Sequence, residues 1–159
     1  MTNQPNEPVM ASLCAVILAA GKGTRMKSNK AKVLHRVFGL PMICHVVAAV
    51  QQAGVREIIV VTGHQRQEVE DCLAAYTVSF AYQQEQLGTG HAVACARQKV
   101  GVMVEDVLIL CGDTPLVAPS TLVGMASAHR RQRAMLTVMT TFLDNPTNYG
   151  RIVTGKDGD

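Results

Sequence analysis

Three short segments group glycines, cations, amides and a carboxylate in ways that could do chemistry. In Ala20-Gly-Lys-Gly-Thr-Arg-Met26, two glycines let the backbone turn tightly. Successive backbone N–H groups in such a turn can cradle an anion, and Lys22 and Arg25 add positive charge. The chemistry suggested is phosphate binding; the bland alternative is a glycine turn carrying surface charge. The second segment is Gln83-Gln-Glu-Gln-Leu-Gly-Thr-Gly-His-Ala92. Gln83 offers an amide donor and acceptor that match a pyrimidine edge, and Gly88 and Thr89 would let backbone close over a flat ring. Thr89 as a helix N-cap and Gly88 as a turn residue explain the same stretch without a ligand. The third is Leu110-Cys-Gly-Asp-Thr-Pro-Leu116. One Asp directly after an apolar run, with Gly112 before it, could hold a magnesium ion that takes its other oxygens from phosphate and water. Gly-Asp-Thr-Pro is also a good turn in its own right.

Two familiar phosphate loops are excluded by counting. A Walker loop would need a glycine where Val16 stands, and the dinucleotide fingerprint fails at Met26. No acidic residue follows the second apolar run, where Thr62-Gly63-His64 stands instead.

Each segment must be carried by an element that holds it in place. Continuous apolar runs suited to buried parallel strands occur at Leu13–Ala19, Glu57–Thr62, Val78–Tyr82, Asp106–Cys111 and Met135–Thr140. Helical spacing lies between them. Ile43, Val46, Val47 and Val50 follow Pro41 and stop at Gly54; Val69, Cys72, Leu73 and Tyr76 repeat the pattern; Ala92, Val93 and Ala96 follow Thr89; Leu122, Met125 and Ala126 follow Ser120. Strand and helix in alternation predict an α/β fold: a Rossmann-like, mostly parallel sheet with helices on both faces. In such a sheet ligands bind beyond the carboxyl ends of the strands, which is where all three segments fall.

Composition narrows the field. The chain has 159 residues, 48% apolar and 17% charged, enough for a packed core. Its longest apolar run, Leu13 to Ala20, is far short of the roughly 20 residues a membrane span needs. A soluble, cytoplasmic protein is expected. The formal charge of +3 does not demand a nucleic-acid partner. Its distribution is uneven, because no acidic residue lies between Glu7 and Glu57, while Lys22, Arg25, Lys27, Lys30, Lys32 and Arg36 crowd that gap. Such a loop could receive a polyanion. Five cysteines without C-x-x-C spacing read as buried reduced thiols. The His129–Arg133 cluster reads as a solvated helix end. Residues 1–11 read as a flexible leader.

Leu18-Ala-Ala-Gly-Lys-Gly-Thr-Arg-Met26, followed by Lys32-Val-Leu-His35, closely resembles the signature of the sugar-1-phosphate nucleotidyltransferases, except that Ala31 replaces the usual Pro. Glu85-Gln-Leu-Gly-Thr-Gly-His-Ala92 resembles the uridyltransferase branch, whose bacterial bifunctional members make UDP-N-acetylglucosamine for the cell wall. Asn145-Pro-Thr-Asn-Tyr-Gly-Arg-Ile152 is similar to a segment that lines the sugar pocket. The resemblance implies the nucleotide-diphospho-sugar transferase fold, with UTP and N-acetylglucosamine-1-phosphate as substrates and Mg²⁺ as cofactor. It assigns catalysis to Arg25 and Lys32. Substrate contacts fall to Leu18, Ala19, Ala20, Gly21, Lys32, Gln83, Gly88, Thr89, Cys111, Gly112, Asp113 and Gly150, and the metal to Asp113. His91 is expected to be structural. The resemblance also implies that residues 12–159 are the nucleotide-binding part of an N-terminal uridyltransferase domain that continues past residue 159. In the bifunctional members a C-terminal β-helix then follows, which carries acetyltransferase activity and forms a homotrimer.

Overall fold

The computed structural model describes residues 10–21, 23, 26, 28–147, 149–153 and 155. Four strands form one parallel sheet: β1 (Leu13–Ala19), β4 (Glu57–Thr62), β5 (Ser79–Tyr82) and β6 (Asp106–Cys111), in the order β5-β4-β1-β6. Between β1 and β4 lie a 3-10 turn (Lys32–Leu34), a small antiparallel hairpin of β2 (Arg36–Val37) and β3 (Leu40–Pro41), and helix α1 (Met42–Gln52). Helices α2 (Arg66–Cys72), α3 (Thr89–Ala96) and α4 (Pro119–Gln132) follow β4, β5 and β6 in turn. The chain thus winds outward from β1 through β4 to β5, then returns to place β6 on β1's other side. That reversal falls between β1 and β6, and at such a reversal open α/β sheets usually bind ligands in a crevice beyond the carboxyl ends of the strands.

The two-residue period of a strand explains the two cores. Leu13, Ala15, Ile17 and Ala19 face one side, where Ile43, Val46, Val47 and Val50 of α1, Val69 of α2 and Leu122 and Ala126 of α4 cover them. Cys14, Val16 and Ala20 face the other, with Ile59, Val61 and Ala81 under Ala92 and Ala96 of α3. Helices therefore cover both faces, as the alternation predicts. Helix α1 starts directly after Pro41 and stops before Gly54, whose φ of +92° suits glycine.

Several expectations need correction. Met135–Thr140 is not a strand: Met135, Leu136, Val138 and Met139 are exposed, and no ladder among the described residues includes them. A strand alone leaves its backbone groups to water, so β propensity without a partner yields no ladder. Thr89 is the first helical residue of α3 rather than its cap; Gly88, at φ +100°, is the cap. Helix α4 opens at Pro119, where the fixed proline φ suits a first turn. The expected leader also ends sooner, because Met10 is buried in the larger core. Nor is the His129–Arg133 cluster simply solvated. Arg130 pairs with Glu105 and Asp106 and donates to the Ser12 hydroxyl, tying α4 to the start of β6.

Candidate functional site

The first segment is pinned by close backbone packing. The Gly112 amide donates to the Leu18 carbonyl at 2.9 Å, which joins the ends of β1 and β6. A Cβ at Gly112 would lie 3.0 Å from that carbonyl oxygen and 3.1 Å from a Val33 methyl. Gly112→Ala is therefore expected to cost about 2 kcal/mol, as overpacking in a tight site typically does, measurable as a lowered urea midpoint at unchanged slope. Gly63 lies just as close to Ala20, and His64 donates its amide to the Ala20 carbonyl at 3.3 Å. Leu18, Ala19 and Ala20 thus form a fixed shelf at the end of β1, and Gly21 is exposed beyond it.

Gly23 follows with φ +60°, and a Cβ there would meet Lys32 Cβ at 2.8 Å. The glycine loop and the stem of Lys32 therefore lie together. Lys32 reaches across the crevice and pairs through Nζ with Asp113 Oδ2. Both side chains keep access to solvent, at 43% and 26% exposure, so either can turn to a ligand. The catalytic candidate Arg25, and Lys22 with it, lie outside the described residues.

Asp113 sits in the turn after β6, where the Thr114 hydroxyl donates to the Cys111 carbonyl at 2.7 Å. Cys111 is exposed, unlike the buried Cys14 and Cys44, so the reading of uniformly buried thiols fails here. Burial of its sulfur and the neighbouring Asp113 carboxylate raise its pKa, against a lowering by Lys32. Asp113 has one carboxylate to offer, and the described residues hold no cluster of three or more metal-ligating side chains. That donor set fits a magnesium ion sharing phosphate oxygens and water better than an all-protein cage.

The second segment is assembled at the end of β5. The Gln83 amide continues the ladder to the Thr62 carbonyl at 2.8 Å. The Thr62 hydroxyl donates to the Ala81 carbonyl and to Glu70, while the Arg66 guanidinium lies 5.1 Å from the centre of the Tyr82 ring. Gln83 is only 3% exposed. Its Nε2 donates to the Gly88 carbonyl at 3.1 Å and lies 3.0 Å from His91 Nδ1. Its Oε1 has no protein partner among the described residues and is not a sealed, unsatisfied atom. Gly88 has open space where a Cβ would stand, so its glycine serves the +100° φ of the cap.

Three strand spacings separate β5 from β6, about 14 Å, which is the scale of an extended nucleoside triphosphate. A base at Gln83 and phosphates at Gly21, Lys32 and Asp113 can therefore lie along one sheet edge. Gly150 is not joined to this group. It stands in an exposed segment held by local bonds, with the Tyr149 amide donating to the Pro146 carbonyl at 3.0 Å and the Arg151 guanidinium to that same carbonyl at 2.7 Å. His91, read from sequence as structural, touches Gln83. Its spacing from Gln83 across a loop matches no helix or strand period, so sequence carried no sign of it.

Comparison with known proteins agrees with this fold. Residues 15–149 match the MobA-like NTP transferase domain. The protein named Bifunctional protein GlmU from Geobacter metallireducens is 52% identical over 150 residues, 94% of this chain and 32% of that protein. Its namesake from Desulfotalea psychrophila is 52% identical over 147 residues, 92% of this chain and 43% of that protein. The chain thus spans well under half the length of these curated relatives. Among solved structures, a nucleotidyl transferase from Methanothermobacter superposes with TM-score 0.62 at 32% identity, over 72% of this chain and 56% of that one. UDP-glucose pyrophosphorylase from Acinetobacter gives 0.61 at 28% identity, over 76% and 53%. The structural neighbours share the nucleotide-diphospho-sugar transferase fold, and the match over residues 15–149 takes in the glycine loop, Lys32, Gln83 and Asp113 alike: the chain belongs to the MobA-like NTP transferase domain family.

Proposed function

We propose that this chain carries the nucleotide-binding part of an enzyme that transfers uridylyl from UTP to N-acetylglucosamine-1-phosphate, giving UDP-N-acetylglucosamine for cell-wall synthesis and releasing pyrophosphate. The observation that carries the reading is the alignment of Gln83, the Leu18–Ala20 shelf at the end of β1 and the Lys32–Asp113 pair along one sheet edge. The acceptor sugar rests on the resemblance to the uridyltransferase signature and on the two relatives named Bifunctional protein GlmU.

In the reaction a phosphate oxygen of the sugar phosphate attacks the α-phosphorus of UTP in line. The bond to the bridging oxygen breaks, and pyrophosphate leaves with that electron pair. Positioning and charge neutralisation dominate such chemistry, so no nucleophilic side chain is required. The Leu18–Ala20 shelf and Gly21 present backbone at the phosphates, and Lys32 contacts them. Arg25, by the resemblance, opposes charge developing on the triphosphate. Gln83 Oε1 accepts the uracil N3–H, with Gly88 and Thr89 closing over the ring. Magnesium held at Asp113 would supply Lewis-acid neutralisation of the phosphate oxygens. Gly150 is proposed to approach the sugar.

No helix among the described residues is long and apolar enough to cross a membrane. With five free cysteines, we place the protein in the reducing cytoplasm. The homotrimer and acetyltransferase of the bifunctional relatives would belong to the parent protein.

Titrating UTP, CTP, GTP and ATP in Mg²⁺ tests the reading. UTP is expected to bind at least about tenfold more tightly than CTP, the difference one hydrogen bond to a buried amide can make. Equal binding of all four, indifferent to Mg²⁺, would overturn it.

A further inference from the structure

His91 holds the key contact on the glutamine assigned to the base. A carbonyl oxygen can only accept, so the bond to Gly88 fixes which end of the Gln83 carboxamide is the NH₂ group. That NH₂ has two hydrogens. One goes to the Gly88 carbonyl, and the other points at His91 Nδ1, 3.0 Å away. His91 Nδ1 must then be the bare, accepting nitrogen, which puts the ring proton on Nε2. Nε2 lies 3.9 Å from Cys95 Sγ, one turn further along α3, where it can donate to sulfur. Both Gln83 donors are thereby consumed, and only Oε1 is left to face a ligand. An acceptor at that place suits uracil, which has a hydrogen on N3. Cytosine presents a bare N3 there and meets lone pair with lone pair.

We infer that His91 is a positioning residue that locks the Gln83 carboxamide with its oxygen toward the base, and so sets the choice of uridine over cytidine nucleotides. The inference rests on the proposed role of Gln83 and adds its cause. Reversing the amide would bring Oε1 against the Gly88 carbonyl oxygen and, as long as His91 keeps the tautomer whose Nε2–H faces Cys95, against the Nδ1 lone pair as well. With His91 gone, only Gly88 resists, and the reversed amide offers a donor to cytosine N3. Neither Cys95 nor His91 touches the nucleotide in this scheme.

The test compares the chain with His91→Phe, which keeps a flat ring without an acceptor, and His91→Asn, whose Oδ1 can stand near the place of Nδ1. Dissociation constants are measured for UTP, CTP and inorganic tripolyphosphate in Mg²⁺. His91→Phe is expected to lower the preference for UTP over CTP about five- to tenfold, one hydrogen bond's worth, with tripolyphosphate affinity unchanged. His91→Asn is expected to keep the preference within about twofold. An unchanged preference in His91→Phe overturns the role. Equal weakening of all three ligands, or loss of preference in His91→Asn as well, shows a merely structural histidine and overturns it too. A parent chain that binds UTP and CTP alike overturns the base reading itself. Should His91→Phe fail to fold, the ¹⁵N shifts of His91 in the unmodified chain decide. A proton on Nε2 and a bare Nδ1 are expected, and a proton on Nδ1 rules the lock out.

Discussion

Replacing Asp113 by Asn is expected to lower Mg²⁺-supported pyrophosphate release by about a thousandfold, comparable to removing one well-placed group that stabilises transition-state charge. The amide keeps the size and the turn but removes the negative charge. A neutral amide oxygen is a weak partner for Mg²⁺, and no cluster of three or more metal-ligating side chains exists among the described residues to replace it. Stability should hardly move. The Lys32–Asp113 pair is partly exposed, and pairs of that kind contribute about 0–1 kcal/mol. The functional loss would thus be far larger than any loss of fold, which separates a metal-holding role from a structural one. The readouts are pyrophosphate release, Mn²⁺ binding followed by spin resonance, and the thermal midpoint. A drop of less than about tenfold, with Mg²⁺ dependence intact, would remove Asp113 from the metal role.

What could be read from sequence, and what could not, divides along a physical line. The strands β1 and β4 were legible because burial on both faces forces continuous apolar runs, whereas β6 keeps its apolar run although Val107 and Ile109 lie exposed on one face of the described sheet. The glycine loop was legible because a tight turn favours glycine, and Gly23 does stand at φ +60°, whereas the crowding at Gly112 is visible only in the structure. Met135–Thr140 was misread because β propensity is realised only when a neighbour completes the ladder, and pairing is a property of the sheet rather than of the segment. Arg130 binding Asp106 and Ser12 crosses 24 and 118 residues, beyond any local pattern. His91 escaped for the same reason: its meaning lies in which hydrogens of Gln83 it occupies, and only three-dimensional placement reveals that. Types and spacing thus locate the segments that touch a ligand, whereas the groups that orient them come from tertiary contact.

Lys32→Met is expected to change two affinities in opposite directions. Methionine keeps a stem that can lie against Gly23, where a glycine Cβ would come within 2.8 Å of Lys32 Cβ, and removes only the charge. Loss of a charged hydrogen bond to phosphate should weaken UTP binding about 10- to 100-fold. Without nucleotide the sign reverses. Lys32 then occupies the Asp113 carboxylate, so a metal ion must displace a lysine to bind there. Because that pair is half-exposed and screened, its removal should tighten Mn²⁺ binding only modestly, about two- to fivefold. The lost phosphate contact decides the outcome with nucleotide present, and the freed carboxylate is visible only without it. In the parent chain UTP should then tighten Mn²⁺ binding partly by drawing Lys32 onto phosphate, and the variant should lose that part of the coupling. Metal binding and nucleotide binding measured separately, then together, complete the cycle. If both affinities fall in Lys32→Met, the lysine supports the fold of the crevice instead of alternating between carboxylate and phosphate.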